Sequence, residues 1–388
     1  MAHILIAYKQ FPAPSVGHAG GESLFWMMEA LHRRGHELTL VSRIMDEERV
    51  HLPAVEAICR RIYLVPHHRS RSGPRALAVV QSYLDLRSKI KEVVATEQPD
   101  FVHVETAQTA LAAAGLRLPA SSYRTQDVNW FLIDQSLPRL RGAERAIAYL
   151  KRAFFRWLEP WISRHYDLIL AISEGDRRLL ADSCDDDHLL LVPLVPAVRP
   201  EATTVSAVDG EANVLFVGAM SRDHNRAGVA WFLDEVWERI AAAVPEARFY
   251  IVGGHPSESL TARADGERVI VTGFVHDLGA WYRSASVFVS PLLVAGGLLQ
   301  KVMDAMSMGV PVVATSVCNH GAGATPGEHL ITADDPEAFA EAVIALLGDS
   351  QARLRLGRAA QAFVSAHYDL ESAVDDWSAA IQRQLDRS

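Results

Sequence analysis

Twice along its length this chain repeats one alternation: a short, continuously apolar segment rich in Val, Ile and Leu, then a stretch of helical spacing, then another apolar segment. Strands that are apolar on both faces must be covered on both faces. That requirement selects a parallel sheet with helices on either side, the helices serving as the crossovers that parallel strands need. The first series reads HILIAY, ELTLVSR, RRIYLVP, PDFVHVE, DLILAISE and HLLLVPL, with a polar strand at SSYRTQD between PDFVHVE and DLILAISE and helical patterns at GESLFWMMEALHRRG, at 76–95 and at 142–164. The second reads VLFVGAM, ARFYIVGG, RVIVTGFV, SVFVSPLL and PVVATSV, with helices at 230–243, 278–284, 301–308, 336–347, 351–367 and from 370 onward. Between the two series, 196–213 has no apolar period and is rich in Pro, Ala, Thr and Ser, which reads as a linker. The pattern predicts an α/β chain of two doubly wound domains in tandem, and 388 residues is too long for one core.

Composition narrows the function classes. A formal net charge of -9 argues against wrapping nucleic acid, which needs a basic face. The three cysteines, Cys59, Cys184 and Cys318, have neither zinc-ligand spacing nor the density of a disulfide framework, and fit a reducing cytoplasm. The N-terminus lacks the basic region and cleavage site of a signal peptide, and no apolar stretch is long enough to span a bilayer. Contact with the inner face of a membrane stays open.

Open parallel sheets bind ligands beyond the carboxyl ends of their strands, so the loops that follow strands are the place to look. In the first, KQFPAPSVGHAGGE, Gly20 and Gly21 open a helix and let backbone N–H groups approach an anion or a sugar hydroxyl; the fingerprint GxGxxG is absent, which weakens a dehydrogenase reading. In the second, GAMSRDHNR from Gly218, Arg222 and Arg226 are placed to take a diphosphate. In the third, SPLLVAGGLLQKVMDAM, Gly296 and Gly297 precede a helix that carries Lys301 and, three residues on, Asp304. Glycine amides and Lys301 suit phosphate, and Asp304 suits ribose hydroxyls, although an exposed Lys301–Asp304 ion pair has the same spacing. His18 and His103 are further candidates, set against the usual structural use of a lone histidine.

Four passages, HAGGESLFWMMEALHRRGHELTLVS, DLILAISEGDRRLL, VLFVGAMSRDHNRAGVAWFLDEVW and SPLLVAGGLLQKVMDAMSMGVPVVAT, give the chain its resemblance to the GT-B glycosyltransferases, specifically the large retaining "glycosyl transferases group 1" family near bacterial exopolysaccharide-type sugar transferases. The resemblance implies two Rossmann-like domains facing an interdomain cleft: 1–198 for the acceptor, 199–369 for the donor, and 370–388 as a helix returning to the first. It implies a UDP- or GDP-sugar as donor substrate, no required cofactor, and a small-molecule, lipid-linked or glycan acceptor. By position, the catalytic group is Asp127, Arg222 and Lys301; the donor is met by Gly218, Arg226, Phe274, Val275, Gly296, Gly297, Leu298, Leu299 and Asp304; and the acceptor by His18, Gly20, Gly21, His103 and Gln126. The chain departs from the family pattern at Gly296, where the first of two glutamates is usual, at Asp304, shorter than the second, and at Gln126, where many members have a histidine. A neutral amide hydrogen-bonds a hydroxyl but does not titrate as imidazole does.

A retaining member would stabilise the departing diphosphate with fixed cations and backbone dipoles. No DxD-like motif stands at a donor position, so no metal is expected; Asp185, Asp186 and Asp187 read as a solvated loop. The alternatives are a nucleotide-sugar epimerase of the same fold, for which no acid/base cluster is visible, and a weakly active nucleotide-binding homologue. Finally, 139–165 mixes arginines with Phe154, Phe155, Trp157 and Trp161. Such a mixture suits anionic lipid or a polyprenyl-linked acceptor, but the preference of aromatics for cores predicts packing beneath the sheet.

Overall fold

The computed structural model of the chain describes residues 1–14, 16, 19–66, 75–181, 184, 186–194, 196–198, 208 and 210–387. It divides into two compact units, Met1–Leu194 with Leu370–Ser388, and Val195–Asp369. Most of the expected linker lies outside the described residues.

The first unit is built on seven parallel strands: β1 (His3–Tyr8), β2 (Glu37–Arg43), β3 (Arg61–Val65), β4 (Phe101–Glu105), β5 (Ala120–Thr125), β6 (Leu168–Ala171) and β7 (Leu189–Leu191). Their order is β3-β2-β1-β4-β5-β6-β7. The chain steps outward from β1 to β3 and then returns to the other side of β1, so connections after β1 and β4 leave on opposite faces and a crevice opens between them. All five residues of β4 are buried, His103 and Glu105 included. The terminal helix Leu370–Leu385 packs on the helix Ala19–Arg33: Arg33 pairs with Glu371, Arg34 with Glu371 and Asp375, and the His36 ring bonds Ser378. Trp377 from that helix is fully buried.

The second unit repeats the plan with β8 (Asn213–Val217), β9 (Arg248–Val252), β10 (Val269–Gly273), β11 (Val287–Ser290), β12 (Val312–Ala314) and β13 (Ile331–Thr332), ordered β10-β9-β8-β11-β12-β13. Every apolar segment read as a strand forms one. The two-residue β13 has too little apolar sequence to be seen in advance. The helix expected at 230–243 begins earlier, at Asp223, and widens into a π-helical turn over Phe232–Val236 before continuing as Trp237–Ala243. That turn carries Phe232 into the core, 4.6 Å from the Phe249 ring.

Candidate nucleotide site

In the second sheet the order reverses between β8 and β11, so the loops that follow these two strands diverge and leave the crevice where doubly wound sheets bind ligands. Helices begin on both sides of it, Asp223–Trp231 after β8 and Gln300–Ser307 after β11. Neither has a side-chain cap at its first turn, so their leading N–H groups and positive dipole ends face the carboxyl edge of the sheet.

Lys301 lies in the first turn of the second of these helices. Its Nζ donates to Asn225 Oδ1 at 2.6 Å and stands 4.5 Å from the centre of the Phe216 ring. Asn225 is itself fixed, donating from Nδ2 to the Ala219 carbonyl at 2.9 Å. Gly218 completes the cradle: a Cβ there would come within 2.7 Å of both Lys301 Nζ and Asn225 Nδ2. Burial pushes the Lys301 ammonium down to about 7. The charge is met by an amide oxygen and a ring face rather than a carboxylate, so an entering anion would restore the protonated form.

Further positive charge surrounds this point. His224 lies between Asp223 and Asn225; its imidazole is pushed down to about 4, first by loss of solvation, then by Lys301 and Arg222, against the opposing pull of Asp223. Arg222 is exposed, with an extended backbone that ends the loop at the helix start. Arg226, by contrast, is used within the loop: it donates to the Met220 and Ser221 carbonyls and pairs with Asp223.

The 296–299 turn is held by close backbone packing. Gly297 has φ +58°, and its carbonyl lies so near Gly321 that a Cβ on Gly321 would sit 1.8 Å from it. Leu298 is buried, while Gly296 and Leu299 are partly exposed. Asp304 is buried and engaged: Oδ1 accepts from the Ala197 and Val198 amides and from Gln300. The expected ribose contact is therefore replaced by a tie to the chain that enters this unit, and the Lys301–Asp304 ion pair does not form, since the two side chains take different partners. On the other side of the crevice, Met220 N donates to Gly254 O and Gly253 N to Gly273 O, which stacks the loops after β8, β9 and β10. Phe274 then projects from the end of β10 at 67% exposure, its ring edge-on to His276, with Val275 partly exposed beside it.

In the first unit, the carboxyl ends of β1, β4 and β5 meet in a polar cluster. Gln126 donates to Glu105 Oε1 at 2.8 Å and lies against Gly20, where a Cβ would come within 2.5 Å of its Nε2 and 2.9 Å of the Tyr8 hydroxyl. Glu105 also faces the buried guanidinium of Arg124 at 3.7 Å and the His103 ring at 3.1 Å. His103, expected at the ligand surface, is instead wholly enclosed, bonded to Ser122 and Glu105 with Trp377 edge-on at 4.6 Å. Burial lowers its ring toward the neutral form. The reason is that β4 is covered on both faces, so a histidine on it has no route to solvent. Asp127 is exposed at the end of β5, near the buried acids Glu159 and Asp176. Gly21 is buried in the helix start; His18 lies outside the described residues.

Thus Gly218, Arg222, Lys301 and the 296–299 turn come together, Phe274 and Val275 close the same edge, and Arg226, Asp304 and His103 are bound into the scaffold. Sequence reasoning missed Asn225, Phe216, Gly253 and Gly321. The paired glycines that end ARFYIVGG were the available sign of Gly253; nothing local marked Asn225.

The family described as "Glycosyl transferases group 1" matches residues 211–349, and "Glycosyl transferase 4-like domain" matches 20–194. An uncharacterised 44.6 kDa protein of the cps region of Klebsiella pneumoniae is 24% identical over 404 residues, covering 95% of this chain and 97% of its own. The phosphatidyl-myo-inositol mannosyltransferase of Mycobacterium leprae is 33% identical over 148 residues, 37% of this chain and 39% of that one. Among solved structures, sucrose-phosphate synthase from Thermosynechococcus elongatus superposes with TM-score 0.76 at 18% identity, covering all of both chains. Anabaena HepE in complex with UDP-glucose gives TM-score 0.68 at 14% identity, again over all of both chains. These likenesses establish the GT-B fold.

Proposed function

The chain belongs to the group 1 glycosyltransferases, and from that premise we propose that it moves a sugar from a UDP- or GDP-sugar to an acceptor hydroxyl with retention of configuration. The acceptor is a small molecule, a lipid-linked sugar or a glycan, and the setting is polysaccharide, glycolipid or glycosylated-metabolite synthesis in the cytoplasm. The observation that carries the reading is the Lys301–Asn225–Gly218 cradle, a poorly solvated cation with no carboxylate partner among the described residues, at the switch point of the second sheet. HepE, of the same fold, was solved with UDP-glucose, which supports a nucleotide-sugar donor.

In this reading the bond between the sugar's anomeric carbon and the β-phosphate oxygen breaks as the acceptor oxygen bonds the same carbon on the same face. The acceptor's proton leaves with the diphosphate oxygen. Lys301, Arg222 and the amides of Gly296–Leu299 meet the growing negative charge, a role that preorganised donors fill without reorganising. The exposed ring of Phe274, with the Val275 backbone, receives the base; Asp127, Gln126, Gly20 and Gly21 are assigned to the acceptor. With cations in these places, no divalent metal is required.

A thermal-shift series with UDP, GDP, ADP and TDP, followed by labelled nucleotide-sugars with and without acceptors, tests this. One diphosphate should raise the melting temperature according to its affinity, and label should move to an acceptor. No shift with any nucleotide overturns the donor site. Epimerisation without acceptor, or binding without turnover, overturns the transferase reading.

A further inference from the structure

The helix Gly142–Ser163 presents an apolar stripe to solvent. Ile147, Leu150, Phe154 and Trp157 recur at helical spacing of three and four residues and are 51%, 73%, 52% and 61% exposed. The neighbouring helix Asn129–Ser136, NWFLIDQS, is partly exposed along its length: Trp130 and Phe131 pack against the core, and none of its residues is fully buried. The prediction that the aromatics of this region pack beneath the sheet holds for Phe155 and Trp161, which lie partly against the core, and fails for Phe154 and Trp157. A stripe of this size left in water is the mark of a surface that something covers.

Charge says what covers it. Residues 129–165 hold seven Arg or Lys against three Asp or Glu, within a chain whose net charge is -9. By helical spacing Lys151 lies beside the stripe, Arg145 and Arg156 lie further round the helix, the first on the Tyr149 hydroxyl and the second over the Trp130 ring of the neighbouring helix, and Arg139 and Arg141 are exposed at its start. A second copy pairing through this face would set like charges against each other. An anionic bilayer is complementary in both respects, accepting the side chains of the stripe into its acyl boundary and pairing the nearby cations with phosphate. We propose that these two helices of the first unit seat the protein on an anionic membrane surface, a property independent of the transferase reading.

Sedimentation of the full chain with phosphatidylglycerol-containing vesicles and with pure phosphatidylcholine vesicles tests this. Binding should require phosphatidylglycerol and weaken with salt. Leu150→Ser combined with Trp157→Ser should lower partitioning at least tenfold; Lys151→Glu should lower it roughly fivefold. All of these side chains are exposed, and an unchanged thermal midpoint certifies that each variant is folded. Absence of binding to either vesicle, binding that none of the variants alters, or concentration-dependent self-association abolished by the Leu150 and Trp157 changes without vesicle binding would each overturn the assignment.

Discussion

The Lys301 ammonium donates to Asn225 Oδ1 at 2.6 Å, joining the first turns of the two helices that start on either side of the second sheet's switch point. Seventy-six residues apart in sequence, the pair fixes a cation at the point where a diphosphate would rest on helix N-termini. If that cation serves the departing phosphate, Lys301→Met should reduce kcat by roughly a hundredfold or more and remove the nucleotide-induced rise in melting temperature. Asn225→Ala should keep the charge but lose its aim, and raise KM. A Lys301→Met enzyme with unchanged kcat would show that the ammonium has only a packing role.

If the proposed donor site is right, the same ammonium should make nucleotide binding pH-dependent. Burial lowers it from its ordinary 10.5 to about 7, so below about pH 7 both folded and unfolded forms carry the proton and the full desolvation penalty is present. Above that, the folded form releases the proton first, and this site's penalty is relieved as pH rises toward 10.5. A bound diphosphate reverses the preference by favouring the charged form. Affinity for the nucleoside diphosphate should therefore fall as pH is raised through about 7, and calorimetry at pH 8 in buffers of different ionisation enthalpy should register proton uptake. Uptake that persists in Lys301→Met would assign it elsewhere.

Asp176 should make the unliganded protein respond to pH in the opposite sense. Burial, then the nearby charges of Asp127 and Glu159, raise its carboxyl from 3.8 to about 7 against the Ser173 hydrogen bond. Between those values the folded form holds a proton the unfolded form has lost, so stability from this site falls as pH rises from about 4 to 7 and stays low above. Asp176→Asn should flatten that segment of a denaturation profile and raise the midpoint at pH 8. A slope that survives the substitution would place the titration on another group.

Two glycines separate stability from function. A Cβ on Gly218 meets the ends of the Lys301 and Asn225 side chains, which can give way only by disturbing their own hydrogen bond, whereas a Cβ on Gly321 meets the Gly297 carbonyl, which cannot give way without shifting the 296–299 turn. Gly218→Ala should therefore lower kcat/KM with a modest loss of melting temperature, while Gly321→Ala should lower both, and its melting temperature by several degrees. Equal melting temperatures for the two variants would show that the turn adapts.

Legibility in the sequence followed distance along the chain. Most apolar runs declared their strands because burial on both faces leaves few polar positions, while β5, with Ser121, Ser122, Arg124 and Thr125 all buried, lacked that signal. The strand ends then marked the loops holding Gly218, Arg222, Gly296 and Lys301. What stayed hidden was how side chains are used. Asp304 and Arg226 carry the residue types of a ligand site, yet one holds the Ala197 and Val198 amides and the other its own loop's carbonyls. His103 looked available because it lies two residues from a strand end, but a strand covered on both faces encloses it. Asn225 escaped notice because its importance lies in Lys301, on a different helix.

The terminal helix offers a test of what holds the first unit together. Trp377 is fully buried, edge-on to His103, and its indole Nε1 has no hydrogen-bond partner among the described residues. Replacing it with Ala empties a core position and should cost about 3–5 kcal/mol. Trp377→Phe gives up part of that volume but also removes a buried unpaired N–H, a group that carries a penalty of about 1–3 kcal/mol, so its net loss should be well below that of the alanine variant. The surface tie between Arg33 and Glu371 is half-exposed, and Glu371→Gln should change stability by less than about 1 kcal/mol. Denaturant midpoints for the three variants order these terms. If Trp377→Ala loses no more than Glu371→Gln, the helix Leu370–Leu385 is held by its surface ion pairs rather than by the indole.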